Sequence, residues 1–102
     1  MITHSINSHY IIIIVIEAIA AAAEPPRLYL VNANSLVKRQ AVAHLAGDIV
    51  HYRADVCVVT ETHLNEHLAD RNYVIGGYDL LRRDRLGRRG GGVAVYASRQ
   101  VA

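Results

Sequence analysis

The sequence predicts an α/β fold, and three observations predict it. Two short apolar runs, Leu28-Tyr29-Leu30-Val31 and Val56-Cys57-Val58-Val59-Thr60, flank a segment whose apolar residues recur at helical spacing. From Tyr73 onward the pattern turns to short β-forming stretches punctuated by glycine. Strand, helix, strand over so short a span is a βαβ unit, with its two strands parallel and joined by a right-handed crossover. A chain of 102 residues, 52% of them hydrophobic, can bury one core but not two.

The amino end is unlike the rest. Residues 10–23 are Tyr, Ile, Val and Ala with Glu17 as the sole charge, a run shorter than the roughly 20 residues that cross a bilayer. Ala21-Ala22-Ala23 has the small residues of a signal-peptide cleavage site, but nothing before Tyr10 supplies the basic start such a peptide needs. Neither membrane insertion nor secretion is expected. Pro25-Pro26 breaks any helix and marks the domain start, so residues 1–26 are an apolar leader and 27–102 the domain.

The first apolar run is unbroken, as in a strand buried on both faces. Ser35 is suited to cap the helix that follows, whose buried stripe is Val37, Ala41, Leu45, Ile49 and Tyr52. The second run holds Cys57, the chain's one cysteine, which reads as a small core residue. Further strands are expected at Tyr73-Val74-Ile75, at Tyr78-Asp79-Leu80-Leu81 and over 92–97.

Charge is concentrated rather than spread. The formal net charge is only +2, yet residues 82–89 hold Arg82, Arg83, Arg85, Arg88 and Arg89 against Asp84. This segment, with Gly87, Gly90 and Gly91, reads as a hairpin with a basic tip. Planar guanidinium donors suit phosphate, and the glycines let a backbone approach closely. The alternative is a solvated loop in which Asp84 pairs with a neighbouring arginine.

Two residues end the predicted parallel strands: Asn32 the first and Glu61 the second. Ligands of parallel α/β units collect at the carboxyl ends of strands, so both should face one crevice. A carboxylate there needs a cation, a hydrogen-bond partner or water. Mg²⁺, commonly held by one or two carboxylates with substrate phosphate oxygens, matches one Glu beside an uncharged amide. A loop cap or an arginine partner would satisfy Glu61 equally. A competing motif, His63-Leu64-Asn65-Glu66-His67, matches the inverted zinc-protease pattern, but the segment is too short and polar for the firm helix this requires.

Taken in order, Asn32-Ala33-Asn34-Ser35-Leu36, Thr60-Glu61-Thr62-His63-Leu64-Asn65, Arg82-Arg83-Asp84-Arg85 and Arg89-Gly90-Gly91-Gly92-Val93-Ala94-Val95-Tyr96 resemble the amino-terminal half of an endonuclease/exonuclease/phosphatase domain. The nearest likeness is to the apurinic-type endonuclease of non-LTR retrotransposons, which precedes a reverse transcriptase. The resemblance covers nearly everything after Pro26. It implies half of a four-layer α/β sandwich, two facing sheets flanked by helices, and Mg²⁺-dependent hydrolysis of DNA phosphodiesters with water attacking in line. It further implies DNA as partner, no small-molecule cofactor, and nuclear or cytoplasmic residence.

On this resemblance Asn32 lies near the scissile phosphate and Glu61 binds the metal. Asn34 is a second candidate for the metal, at a position that holds Asp in cellular apurinic endonucleases and often Arg in the retroelement enzymes. The five arginines are candidate nucleic-acid contacts. The family's later Gly-Asp-x-Asn and Ser-Asp-His, which orient and activate the water, have no match in the 102 residues. Acid–base catalysis is worth roughly 10²- to 10⁴-fold, so this chain alone is expected not to cleave DNA, and a non-catalytic nucleic-acid or interaction module using the basic hairpin is the alternative. A half sandwich is also expected to expose residues 93–97 as an apolar sheet edge prone to self-association.

Overall fold

A computed structural model describes residues 27–85 and 90–99. The leader read from the sequence, and Arg88 and Arg89, lie outside the described residues. The elements are β1 (Leu28–Asn32), α1 (Ala41–Tyr52), β2 (Val56–Thr60), a 3-10 turn (Asp70–Asn72), β3 (Tyr78–Arg83) and β4 (Val93–Ser98). They form a small α/β domain with one mixed four-stranded sheet, in the order β1-β2-β4-β3. β1 and β2 are parallel, with Asn32 beside Thr60, as a βαβ unit requires. β4 runs antiparallel to both β2 and β3.

Strand alternation separates two sheet faces. One carries Tyr29, Val31, Cys57, Val59, Leu80, Ala94 and Tyr96 against Leu45 and Ile49 of α1. Leu64, Tyr73 and Ile75, from the connection between β2 and β3, close the same core. Its polar atoms are satisfied from within: the Tyr96 hydroxyl donates to the Tyr73 carbonyl at 2.6 Å, and that of Tyr78 to the Ala54 carbonyl.

Several sequence expectations are corrected. The helix begins at Ala41, six residues after Ser35, and its cap position Gln40 has φ 65° and no side-chain capping bond. The reason is tertiary. Ala33, Ser35 and Leu36 donate backbone N–H groups to Thr60, Glu61 and Thr62, which holds the chain beside the β2 loop where a helix would otherwise start. Ser35 instead closes a local turn by accepting from Val37 N–H at 3.1 Å. Consequently Val37 and Tyr52 are about half exposed, and the buried stripe is carried by Leu45 and Ile49.

β1 is not buried on both faces: as an edge strand it leaves Leu28 and Leu30 exposed. Residues 73–75 form no strand but follow the 3-10 turn. β4, expected as the open edge, lies between β2 and β3 with Ala94, Val95 and Tyr96 fully buried. The sheet's edges are β1 and β3, because the hairpin folds back to insert β4 beside β2.

Cys57 is fully buried in the centre of β2. Burial, reinforced by Asp48, pushes its thiol from 9.0 up to about 12. The folded state thus prefers the neutral thiol. Its contribution to stability is complete below pH 9 and is lost as pH rises from there toward about 12, because the unfolded chain ionises first. In the native protein Cys57 should therefore resist thiol reagents at pH 8 and react once denaturant is added. Stoichiometric labelling without denaturant would contradict this placement.

Candidate active site at the strand ends

The topology brings the carboxyl ends of β1, β2 and β3 and the amino end of β4 to one edge of the sheet. Asn32, Glu61 and the root of the basic hairpin therefore share that edge, although 29 positions separate the first two in the sequence. Backbone bonds knit the three loops together. Ala33 N–H donates to the Thr60 carbonyl at 2.9 Å and Ser35 N–H to that of Glu61 at 2.8 Å. Thr62 and His63 in turn donate to the carbonyls of Gly92 and Gly91, at 3.3 and 2.8 Å.

The edge stores backbone strain. Asn34, Ser35, Glu61 and His63 all have positive φ, between 46° and 91°, which is uncommon for residues with a side chain. The bonds just described hold Ser35, Glu61 and His63 in place, and strain of this kind clusters at functional sites. Gly92, at φ 90°, lies so close to Thr62 that an added Cβ would sit 2.5 Å from its Oγ1. Thr62 is fully buried, and its hydroxyl accepts from Leu64 N–H at 3.3 Å.

Asn32 is oriented by its own turn. Its Oδ1 accepts from Asn34 N–H at 3.0 Å, and its Nδ2 amide has no partner among the described residues. Glu61 is partly exposed, and no described residue bonds or pairs with its carboxylate. Asn34 is exposed, and a shallow cleft beside Asn32 is lined by Ser35, Lys38, Arg39 and His44. Among the described residues there is no group of three or more His, Cys, Asp or Glu that could hold a metal ion. The donor set suits a Mg²⁺ that takes one carboxylate from the protein and its other oxygens from phosphate and water, and it does not suit an ion caged by protein.

The arginines divide. Arg83 and Arg85 are exposed at the root of the hairpin, and Arg85 lies against Gly91, where any Cβ would overlap its guanidinium. Arg82, expected from the sequence to contact phosphate, is instead a buried structural ion, 4% exposed. Nε and Nη2 donate to the two carboxylate oxygens of Asp84, at 3.1 and 2.8 Å. Nη1 donates to Asp70 and to the Leu68 carbonyl, each at 2.8 Å, and Nη2 also reaches the Asn65 carbonyl at 2.9 Å. All five guanidinium donors are thereby used. Burial alone would lower its pKa, and the bonds to Asp84 and Asp70 raise it above the ordinary arginine value.

This hub also settles the histidine motif. Residues 63–67 form no helix: Asn65 Oδ1 accepts from His67 N–H at 2.9 Å in a tight turn. His67 is exposed beside Glu66, whereas His63 is partly buried against Gly90, so the two do not share a helical face. Sequence reasoning missed Thr62 and His63 as parts of the strand-end edge. Both follow Glu61 directly, but their contact with the glycine run exists only after β4 inserts beside β2. No helix among the described residues is long and apolar enough to cross a membrane. No protein-family model matches this chain, and no curated protein matches its sequence.

Proposed function

We propose that this domain is the amino-terminal half of a Mg²⁺-dependent DNA endonuclease of the endonuclease/exonuclease/phosphatase type, retrotransposon-like in its motifs. The observation that carries the reading is that Asn32 and Glu61, whose carboxylate pairs with no described residue, lie at neighbouring strand ends, on strained loops, at the root of an arginine-rich hairpin. In this reading the mixed sheet with α1 on one face would be one half of that fold's four-layer sandwich.

In this reading the Asn32 Nδ2 amide donates to a phosphoryl oxygen, and its orientation is held by the Asn34 turn. Glu61, with Asn34 as a further candidate, holds the metal. Bound Mg²⁺ would supply charge neutralisation at the phosphate. Arg83 and Arg85, together with Arg88 and Arg89, contact the nucleic-acid backbone, and Arg82 holds the loop behind Glu61. Nothing in the 102 residues matches the family's Gly-Asp-x-Asn or Ser-Asp-His, so the chain as given binds but does not turn over.

Purified protein should therefore bind a short DNA duplex more tightly with Mg²⁺, and Glu61→Gln should remove that enhancement. It should leave supercoiled plasmid intact. Mg²⁺-dependent nicking that disappears in Glu61→Ala would show a complete active site and overturn the half-domain reading. A second reading, a non-catalytic nucleic-acid module, is favoured by the exposed Arg83 and Arg85. Binding that ignores Mg²⁺, yet loses its salt dependence when Arg85, Arg88 and Arg89 are replaced, would select it.

A further inference from the structure

We infer that the outer edge of β1 is a self-association surface, pairing antiparallel with β1 of a second copy of this chain about a two-fold axis at Leu30. The inference does not depend on the nuclease reading. Val56 N–H donates to the Arg27 carbonyl, and Ala33 N–H to that of Thr60. Residues bonding a parallel neighbour alternate, so Arg27, Tyr29, Val31 and Ala33 face β2, while Leu28, Leu30 and Asn32 aim their backbone groups outward. Among the described residues no strand pairs with that side.

The two sheet edges differ in their protection. β3 carries Asp79, Arg82 and Arg83, with Asp79 paired to Arg99 at 3.4 Å. β1, of sequence LYLVN, has neither charge nor proline, the features that usually keep an edge from pairing. Exposed apolar surface gathers beside it. Leu28 is 53% and Leu30 71% exposed, and the half-exposed Tyr52 of α1 lies over β1 with its ring 5.1 Å from that of Tyr29. On the same sheet face as Leu28 and Leu30, Val56 and Val95 are fully buried and Val58 is partly buried, while Thr60, beside Asn32, is exposed.

The edge is complementary to itself, which favours a second copy over an unrelated strand. Antiparallel pairing centred on Leu30 sets Leu30 against its counterpart and Leu28 against Asn32 of the second copy. Each of these pairs exchanges both backbone bonds, because all three residues point their N–H and C=O outward. The Leu30 side chains then cover one another, no like charges meet, and the sheet runs on through both copies. Such an interface is isologous and closes on itself.

Sedimentation velocity of the full chain at micromolar concentration should show a dimer. Leu30→Lys should raise the dissociation constant roughly tenfold or more, since like charges directly opposite repel, while Val50→Lys on the solvent side of α1 should leave it unchanged. Geometry supplies a second readout that needs no destabilising charge. With oxidised glutathione as oxidant, Leu30→Cys should form a covalent dimer, because facing Cα atoms about 5.5 Å apart can be bridged. Leu28→Cys should not, since its counterpart lies roughly 13 Å along the strand. Buried Cys57 does not interfere. A monomer throughout the micromolar range, a dimer indifferent to Leu30→Lys, or equal cross-linking from Leu28→Cys and Leu30→Cys would each overturn the inference.

Discussion

Arg82→Met is expected to cost about 3–5 kcal/mol, the usual consequence of removing one partner from a buried ion pair. The substitution keeps much of the aliphatic volume, so the loss arises from what the guanidinium leaves behind. The Asp84 and Asp70 side chains, 6% and 13% exposed, would keep their carboxylates with no cation. The Asn65 and Leu68 carbonyls would lose their donor as well. Against a total of about 5–15 kcal/mol for a small domain, this is a large fraction of the fold's stability. Arg82→Lys should recover little, because a single ammonium cannot reproduce the planar fork that reaches both carboxylates and both carbonyls. Adding Asp84→Leu to Arg82→Met should restore part of the loss, since one uncompensated charge is then gone. Urea unfolding of the three variants checks the order, and a loss below 1 kcal/mol for Arg82→Met would mean that the hub is not closed in solution.

Gly92→Ala should be nearly as damaging, at about 2–4 kcal/mol, from two sources acting together. At φ 90° a side chain is strained whatever the space, and the new Cβ would meet Thr62 Oγ1 at 2.5 Å. Thr62 is fully buried and hydrogen-bonded to Leu64 N–H, so it cannot turn aside without losing that bond. Thr62→Ala in the same chain should relieve the clash but not the backbone strain, giving partial recovery. Gly47→Ala is the control. It lies within α1 with nothing near its would-be Cβ, and should stabilise by up to about 1 kcal/mol. Thermal unfolding distinguishes these outcomes. If Gly92→Ala melts with the native protein, the loop junction behind Glu61 is looser than described.

These two residues also show where sequence reading stops. A buried arginine and an exposed one look alike in Arg82-Arg83-Asp84-Arg85, because charge density along a chain says nothing of which side chain the sheet turns inward. β alternation places Arg82 on the core face and Arg83 on the other, and Asp70, twelve residues earlier, completes the site only when the loop folds over. The helix start was misplaced for a similar reason. Ser35 has the chemistry of a cap, but backbone bonds to Glu61 and Thr62 claim the residues around it first. Local propensity is worth tenths of a kcal/mol to about one, and tertiary bonding outweighs it.

Apart from a strand expected at residues 73–75, the order of elements, the parallel pairing of the first two strands, the β3–β4 pairing and the placement of Asn32 and Glu61 at strand ends were legible without coordinates. Each rests on a local signal: apolar runs, helical spacing, glycine turns, and a polar residue directly after a strand. Which strand occupies the edge, which arginine is structural, and which residues tie the loops behind Glu61 were decided by tertiary structure alone. Insertion of β4 between β2 and β3 governs all three, because it buries the strand expected at the edge and turns Arg82 inward. It also brings Gly91 and Gly92 against Thr62 and His63. That pairing joins residues more than thirty positions apart, and no local pattern in the chain encodes it.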